Sequence, residues 1–278
     1  MRDDNIKVFY DTLLFIKENK SLSDSVKESI KSTSFHDEND YPSFEINKEK
    51  EGNIVVSKKR SFEAAIELKR RYPNKRIGVL NFASATTPGG GVAQGSSAQE
   101  ESLCRISTLY PVLTTDELFK KYYKVNRKLG NNLHTDAVIY TPDIVICKTD
   151  ERNPRRLVED EFVKVDVLSC AAPNLRERPS NIFNLDASRS ANISDEELFT
   201  LHLKRAKHLL YIAKYHNIDI LVLGAFGCGA FSNNPEVVAK AYKETLKEYR
   251  NSFDVIEFAI YCSPYETENY DVFKEIIC

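Results

Sequence analysis

One stretch of this chain organises the rest of it: Pro88-Gly89-Gly90-Gly91-Val92-Ala93-Gln94-Gly95-Ser96-Ser97-Ala98-Gln99-Glu100-Glu101. It follows an apolar run at 77–82, which predicts a buried strand, and precedes apolar residues spaced by three or four from Leu103 onward, which predict a helix. Consecutive glycines allow positive φ and close approach to a ligand. Free N–H groups in such a loop suit a phosphate. We therefore predict a phosphate-binding loop; a flexible loop before a well-capped helix is the simpler alternative.

Two carboxylates, Glu100 and Glu101, stand on the first turn of the predicted helix. Adjacent helix residues are about 100° apart, so we expect the two side chains not to aim at one atom. Ser97 and Glu100 have the spacing of a capping box, which gives Glu100 a structural role. Glu101 lacks such a role. A phosphate-binding loop beside an acid is what hydrolysis of a nucleotide-sugar bond requires.

A second glycine loop repeats this logic: Gly224-Ala225-Phe226-Gly227-Cys228-Gly229-Ala230-Phe231-Ser232-Asn233-Asn234-Pro235 follows the apolar run at 218–224. It does not fit a dinucleotide-binding fingerprint, because the next helix opens only six residues after Gly229. Ligands of open α/β sheets bind at the carboxyl ends of strands, so the two loops can hold two phosphates from opposite sides. Cys228 has no histidine nearby in sequence, which favours a small loop-filling residue over a nucleophile.

The first loop carries a family resemblance. A glycine triplet, seven residues and then Gln99-Glu100-Glu101 resemble the signature of poly(ADP-ribose) glycohydrolases. The sequence Asn81-Phe82-Ala83-Ser84-Ala85 before the triplet, and Ala98 before the glutamine, resemble the compact bacterial-type branch. The resemblance runs from about Asn53 to the C terminus. It implies a macrodomain fold, binding of ADP-ribose and cleavage of ribose–ribose glycosidic bonds.

The resemblance also implies roles for individual residues. Glu101 would be the general acid and base, which protonates the departing ribose oxygen and then deprotonates the attacking water. Glu100 would hold a ribose hydroxyl, and the substrate diphosphate would orient the water. Phe231 would pack on the ribose nearest the scissile bond, and Asn81 would touch the same ribose. Core packing for Phe231 and a turn-forming role for Asn81 are the simpler alternatives.

The predicted substrate-binding residues lie in the two loops and beside them: Asn81, Gly89, Gly90, Gly91, Val92, Gln99, Gly227, Cys228, Gly229, Ala230 and Phe231. Residues 170–174 end another strand at the same edge, where small side chains either line an adenine ring or pack closely. A long loop at 173–191, with Arg176, Arg178 and Pro179, has a length that is often functional.

Alternating strands and helices predict an α/β fold with a mainly parallel sheet. With the resemblance, the expected architecture is a macrodomain-like mixed sheet sandwiched between helices, in a catalytic domain at 53–278. Residues 1–52 are expected to form an extra N-terminal helical extension packed on this domain, with a possible short strand at 44–46. The predicted strands are 53–57, 77–83, 137–147 with a break at Pro142-Asp143, 162–170, 218–224 and 255–262. The predicted helices include 4–19, 22–32, 61–72, 115–129 and 195–216.

Composition and net charge argue against several classes of protein. The net charge of −2 over 278 residues argues against a basic nucleic-acid groove, and no apolar stretch approaches the length of a membrane span. The six cysteines are scattered without a CxxC pair, which predicts buried, reduced thiols in a cytoplasmic protein. The five histidines show no metal-ligand spacing, so we expect no metal site and no cofactor. We also expect a monomer.

The combined prediction is an enzyme, a poly(ADP-ribose) glycohydrolase that releases ADP-ribose from chain ends and acts on poly(ADP-ribose) or ADP-ribosylated proteins. One alternative is a reader that binds ADP-ribose without turning it over. Another is a hydrolase that removes single ADP-ribose units from proteins or nucleic acid. Glu101 argues against a reader, because binding alone does not require an acid there. The sequence leaves both hydrolase hypotheses open.

Overall fold

The strands of the protein form one seven-stranded sheet. The structure, a computed structural model, describes residues 2–43, 52–178, 191–263 and 265–278, so the expected strand at 44–46 lies outside the described residues. The strands are β1 (Ser34–His36), β2 (Asn53–Ser57), β3 (Ile77–Phe82), β4 (Val138–Ile146), β5 (Val163–Cys170), β6 (Ile220–Leu223) and β7 (Val255–Ala259). Their order is β1-β4-β5-β3-β6-β7-β2. The pairs from β5 to β2 are parallel, whereas β1–β4 and β4–β5 are antiparallel, which confirms the mixed, mainly parallel sheet.

Helices cover both faces of this sheet. They are α1 (Arg2–Glu18), α2 (Lys20–Ser32), α3 (Ser61–Arg71), α4 (Gln99–Ile106), α5 (Leu109–Leu113), α6 (Asp116–Leu118), α7 (Lys124–Leu129), α8 (Asp195–Tyr215), α9 (Pro235–Tyr249) and α10 (Glu268–Ile277). A π-helical turn, Phe119–Tyr123, joins α6 to α7. In the described parts of the chain, none of the helices has the length and apolar character that crossing a membrane requires.

Two apolar layers hold the sandwich together. Successive residues of a strand face opposite sides of a sheet, and β3 shows this directly. Val79 belongs to the layer under α1–α5, whereas the next residue, Leu80, belongs to the layer under α8–α10. A strand covered on both faces needs apolar residues at consecutive positions, which explains the continuous apolar runs of β3 and β6.

Most predicted elements are confirmed within a few residues. The break predicted at Pro142-Asp143 is present as a register shift between Thr141 and Ile144, where Asp143 has a φ of 54°. The three-residue strand β1 was not predicted, because three residues are too few to show a period-two pattern. A capping box at Ser194 opens α8, and the Asn234 side chain caps the start of α9.

The N-terminal helix α1 packs against the back of the first glycine loop. Arg2 Nε donates to the carbonyl oxygen of Gln94 at 2.7 Å, and Asn5 Nδ2 donates to that of Gly95 at 3.0 Å. Further along the helix, the Thr12 hydroxyl donates to the carbonyl oxygen of Arg105 in α4. The proposed division of the chain between residues 52 and 53 stays a prediction.

The sheet topology sets where a ligand can bind. β3 lies between β5 and β6 and is parallel to both, with Phe82 beside Cys170 and Val79 beside Val222. The carboxyl ends of these three strands therefore meet at one edge. Both glycine loops leave the sheet there, from neighbouring strands, which agrees with the expected position of the binding edge.

Candidate active site

The first glycine loop folds back over the beginning of α4. Gly89 and Gly90 have φ values of 68° and 57°, in the left-handed region that favours glycine. A Cβ added at Gly90 would lie 2.5 Å from Glu101 Oε1 and 3.1 Å from Glu100 Oε2. The backbone therefore needs glycine at this position for two reasons, its conformation and its contact with the carboxyl groups.

The two glutamates have different hydrogen-bond partners, as their 100° separation on the helix predicted: Glu100 accepts from Ser84 N, and Glu101 accepts from Gly91 N. Their carboxyl groups nevertheless lie close together, because an oxygen of each lies under Gly90. The loop crosses the first turn of α4, and glutamate side chains are long enough to converge beneath it. The result is a pair of neighbouring carboxyl groups covered by loop backbone.

Glu100 is turned inward rather than toward the helix start. Its side chain accepts hydrogen bonds from Ser84 N at 2.8 Å and from Asn81 Nδ2 at 3.3 Å, and the residue is 3% exposed. The predicted capping box with Ser97 is wrong, because α4 begins after Ala98 and has no side-chain cap. Burial raises the pKa of Glu100 to about 8; the hydrogen bond from Ser84 opposes this rise, and the charge of Glu101 adds to it.

Glu101 is held between the loop and a buried cation. Its Oε1 accepts a hydrogen bond from Gly91 N at 2.9 Å. Arg105, one turn further along α4, is buried and attracted electrostatically to Glu101. The Arg105 guanidinium also donates to the carbonyl oxygen of Ser96 and to Ser102 Oγ. The cation thus fixes the end of the loop and places a positive charge near Glu101.

Asn81 connects the end of β3 to the carboxyl pair. Its Nδ2 donates to Glu100 and, at 2.9 Å, to Ser169 Oγ. Within the part of the chain that the structure describes, its buried Oδ1 has no hydrogen-bond partner. Asn81 also forms a backbone turn to Ala83, so the turn-forming alternative holds alongside the predicted position near Glu100.

Gln99 ties α4 to the sheet and to α3. Its side-chain oxygen accepts from Phe82 N at 2.8 Å, and its Nε2 donates to the Leu80 carbonyl oxygen at 2.7 Å and to Ser61 Oγ at 3.0 Å. Val92 is buried beneath the loop. These two residues therefore lie behind the carboxyl groups, and direct contact with substrate stays a prediction for both.

Asn233 organises the second glycine loop. It is buried and donates to the carbonyl oxygens of Pro173 at 2.7 Å and Gly227 at 3.1 Å, while it accepts from His202 Nε2 at 2.8 Å. Gly227 has a φ of 81°, and a Cβ there would lie 2.7 Å from Ala172 Cβ. The second loop is thereby fastened to the segment that follows β5.

The remaining predicted residues of this loop reach toward its surface. Gly229 and Ala230 are exposed, and Cys228 and Phe231 are partly exposed. Burial raises the pKa of the Cys228 thiol, which keeps it protonated and agrees with a loop-filling role. The Phe231 ring lies 5.7 Å from the Arg176 guanidinium carbon. Its predicted contact with a ribose is not tested by this placement.

Comparison with known proteins identifies the family. The family model described as microbial-type PARG, catalytic domain, matches residues 10–149, half of the 278-residue chain. This span contains the first glycine loop, Glu100 and Glu101. The chain belongs to this family. The match begins inside α1, earlier than the resemblance drawn from about Asn53, because helical spacing in α1 carries no motif.

Solved structures of bacterial PARGs resemble this chain over almost its whole length. PARG from Thermomonospora curvata has a TM-score of 0.83 at 25% identity, with 99% of each chain covered. The same enzyme bound to the inhibitor ADP-HPD gives 0.80, also at 25% identity and 99% coverage of each chain. PARG from Deinococcus radiodurans in complex with ADP-ribose gives 0.75 at 28% identity, covering 91% of this chain and 96% of that one. No curated protein matches the chain. The predicted family, fold class and poly(ADP-ribose) glycohydrolase activity are thereby confirmed.

Arg205 is a structural residue of this PARG that the sequence did not reveal. It is 1% exposed and donates to Asp136 Oδ1 at 2.8 Å and to the carbonyl oxygens of Ala171 at 2.6 Å and Leu133 at 3.0 Å. It therefore fixes the chain after β5 against the chain before β4. An arginine inside a long amphipathic helix is usually exposed, so its sequence context gave no signal.

The long loop predicted at 173–191 is described only at its two ends. Asn174 N donates to the carbonyl oxygen of Asn132 at 2.7 Å, and Arg176 Nε donates to Asn174 Oδ1 at 3.0 Å. Arg178 is exposed, and Pro179 lies outside the described residues. Residues 170–174 lie at the predicted edge, where Gly227 packs against Ala172. Close packing is therefore present, and an adenine contact stays a prediction.

The cysteines of this PARG differ partly from the prediction. Cys104, Cys147 and Cys170 are free and buried, as expected, whereas Cys278 is free and exposed. Cys278 directly follows α10, and its Sγ lies 3.6 Å from Lys274 Nζ. Among the described residues, no three or more His, Cys, Asp or Glu side chains form a group suited to a metal ion.

Proposed function

We propose that this PARG hydrolyses the terminal ribose–ribose bond of poly(ADP-ribose) and releases ADP-ribose, with Glu101 as general acid and base. The observation that carries the proposal is the contact between Gly90 and the carboxyl pair, since a Cβ there would lie 2.5 Å from Glu101 Oε1. The loop expected to wrap the diphosphate thus packs directly on the expected acid. A bound sugar next to the diphosphate would lie within reach of that carboxyl group.

The proton transfers follow from this position. Glu101 gives its proton to the departing ribose oxygen as positive charge develops on the sugar, and then takes a proton from the attacking water. Gly91 N–H holds Oε1 of the side chain in place. Arg105, buried on the same helix, places a positive charge near the carboxylate that remains after the first transfer.

Glu100 and Asn81 are proposed to hold the ribose. With a pKa raised to about 8 by burial, Glu100 keeps its proton at neutral pH and can donate a hydrogen bond to a ribose hydroxyl. Asn81 Oδ1, which has no partner in the described structure, can accept one from the same sugar. A neutral Glu100 also spares Glu101 the repulsion of a second negative charge.

The two glycine loops are proposed to bind the diphosphate between them. Both leave the same sheet edge from adjacent strands, and Gly89, Gly90 and Gly227 have positive φ values. Glycine at such positions lets the backbone approach a ligand closely. Phe231, partly exposed at the end of the second loop, would then pack on the terminal ribose.

We expect the protein to act in the cytoplasm as a monomer, with no metal or cofactor in the reaction and no direct nucleic-acid binding. Support comes from the buried free thiols at Cys104, Cys147 and Cys170 and from the net charge of −2. Its substrates would be poly(ADP-ribose) or ADP-ribosylated proteins.

Two substrates test the proposal in one experiment. The protein is incubated separately with poly(ADP-ribose) and with a protein that carries single ADP-ribose units, and the products are separated by size. Release of free ADP-ribose from the polymer alone supports cleavage at chain ends. Oligomeric fragments would indicate internal cleavage, and release from the singly modified protein would indicate the alternative hydrolase activity.

A further inference from the structure

Two histidines from distant parts of the sequence meet beside the edge strand β1. His36 Nε2 lies 2.9 Å from His216 Nε2, although 180 residues separate them. Ser34 Oγ lies 3.0 Å from the first nitrogen and 3.3 Å from the second. Three potential metal ligands, two of them imidazole nitrogens, thus form a triangle with edges of similar length.

A carboxylate determines the tautomer of His36. Its Nδ1 lies 2.7 Å from Asp40 Oδ2, and a carboxylate can only accept there, so Nδ1 carries the proton. His36 Nε2 therefore presents its lone pair to His216 and Ser34. A carboxylate behind a ligating imidazole is the usual arrangement around protein-bound zinc, because it orients the ring and raises its basicity.

The rings are also held from behind. The His216 ring stacks on Tyr140, with centroids 3.6 Å apart and planes 10° apart, and the Tyr140 hydroxyl donates to Asp166 at 2.9 Å. The Asp40 carbonyl oxygen accepts from His208 Nε2 at 3.1 Å. Each ring thus has a supported orientation, which lowers the conformational entropy lost when an ion binds.

We propose that His36, His216 and Ser34 form a binding site for a divalent transition-metal ion, with Zn²⁺ as the fitting case. Two nitrogens bound to tetrahedral zinc at about 2.0–2.1 Å are about 3.3 Å apart. The observed pair must therefore open by about 0.4 Å to reach that spacing. Ser34 Oγ and a water complete the ligands.

Besides this opening of the pair, binding requires a change of tautomer. In the metal-free pair, His216 Nε2–H donates to His36 Nε2. When the ion enters, the His216 proton moves to Nδ1, both Nε2 lone pairs face the ion, and the net charge of the ligands stays zero. No electron is transferred.

The site is structural and separate from the carboxyl pair. Tyr140, under His216, belongs to the apolar layer beneath α8–α10, whereas Leu103 and Cys104 of the helix that carries Glu101 belong to the layer on the opposite face. The ion would pin the edge strand β1 to the end of α8. The proposal is therefore independent of the roles assigned to Glu100 and Glu101.

The test is titration of the chelator-treated full chain with Zn²⁺, followed by calorimetry and thermal unfolding. We expect one ion per chain and a rise in Tm. His36→Gln and His216→Gln should each abolish both effects, whereas His134→Gln, at a histidine outside the pair, should leave them unchanged. Asp40→Asn should weaken Zn²⁺ binding by roughly 10- to 100-fold, as loss of a supporting carboxylate typically does.

Absence of saturable Zn²⁺ binding to the wild type would overturn the proposal, as would equal binding by the wild type and His216→Gln. Should a glutamine variant fail to fold without metal, Asp40→Asn decides, because it keeps both rings and unchanged affinity there contradicts the proposal. Co²⁺ adds a spectroscopic check, since visible absorption typical of tetrahedral nitrogen ligation is expected only when both histidines are present. Turnover of poly(ADP-ribose) should be the same with and without Zn²⁺.

Discussion

At the scale of single residues, Gly90 is the position where the proposed phosphate-binding loop contacts the carboxyl groups of Glu100 and Glu101. Gly90→Ala combines an unfavourable positive φ, which costs roughly 1–2 kcal/mol, with a methyl group pushed toward Glu101. We expect a lower free energy of unfolding and loss of most turnover. Chemical denaturation and ADP-ribose release measure the two effects.

Gly130→Ala is the matched control for this substitution. Gly130 has a φ of 62°, close to that of Gly90, but a Cβ there meets nothing within 4 Å. Gly130→Ala should therefore cost stability through backbone strain alone and keep its activity. Equal activity in the two alanine variants would show that the approach of Gly90 to the carboxyl groups has no catalytic importance.

Glu101→Gln tests the assignment of the acid. The amide keeps the shape of the side chain and can still interact with Gly91 N, but it has no proton to transfer to the leaving oxygen. General acid–base groups typically contribute about 10²- to 10⁴-fold, so turnover should fall by that order while ADP-ribose binding is largely kept. Steady-state kinetics and calorimetry on the same sample separate the two quantities.

Glu100→Gln gives the comparison, because it removes the neighbouring carboxyl group of the same helix. A smaller loss of turnover, mainly through weaker substrate binding, is expected if Glu100 holds the ribose. A loss as large as that of Glu101→Gln, with substrate binding unchanged, would instead assign proton donation to Glu100. Activity equal to the wild type in Glu101→Gln would contradict the proposed mechanism.

Glu100 also predicts a pH dependence of stability. Its pKa is about 8 in the folded protein and 4.5 in a free side chain, so the folded state holds a proton that the unfolded state releases between these values. Stability from this group is complete below about pH 4.5 and is lost as pH rises toward 8. In urea unfolding, the free energy of unfolding of the wild type should fall from pH 5 to pH 8. The fall should be smaller in Glu100→Gln. The exposed Glu117→Gln serves as control, and parallel declines in all three proteins would contradict burial of a protonated Glu100.

The sequence could predict the identity of these residues but not their geometry. The glycine triplet and Gln99-Glu100-Glu101 are local signals, and they identified the loop, the acid pair and the family. The side-chain directions depend on a loop that crosses α4, which no helix periodicity contains. Ser97 and Glu100 therefore had the spacing of a capping box, whereas Glu100 turns to Ser84 instead.

At the scale of elements, α1 acts as a support for the first glycine loop. Asn5 bonds to the Gly95 carbonyl oxygen, and Gly95, with a φ of 77°, is required there because a Cβ would collide with the Arg2 carbonyl oxygen. Asn5→Ala removes one hydrogen bond of roughly 1 kcal/mol and frees the loop behind the carboxyl pair. We expect turnover to fall several-fold with a small change in Tm.

The control for this helix is Lys7→Ala, an exposed residue on α1. It should change neither turnover nor Tm. If Asn5→Ala lowered Tm but left turnover of the folded protein intact, α1 would be a purely structural element. Measuring kcat and KM separately is informative, because a displaced acid lowers kcat whereas a loosened phosphate loop raises KM.

Elements differ in how far the sequence predicts them. β3 and β6 are covered on both faces, so their consecutive apolar residues gave an unambiguous signal. β1 pairs only through three residues at the sheet edge, and its partner β4 lies about a hundred residues later in the chain. Such a strand forms because of tertiary pairing, and no local sequence pattern predicts it. The contacts of Arg205, Asn233 and the His36–His216 pair also depend on residues far apart in the sequence, so they could not be predicted either.

At the scale of the whole molecule, the sheet order places both glycine loops on adjacent strands, so a ligand that bridges them should stabilise the entire fold. ADP-ribose binds the native state in this proposal and therefore raises Tm, by an amount equivalent to about 2.7 kcal/mol at a hundredfold excess over Kd. Phe231→Ala should reduce this rise without a comparable loss of stability in the absence of ligand, since the ring is only partly buried. Gly90→Ala should also reduce the rise in Tm, from the other side of the cleft.

AMP, which has one phosphate and no second ribose, should give a smaller rise in the Tm of the wild type than ADP-ribose. A folded wild-type sample whose Tm is unchanged at saturating ADP-ribose would contradict a cleft formed by these two loops.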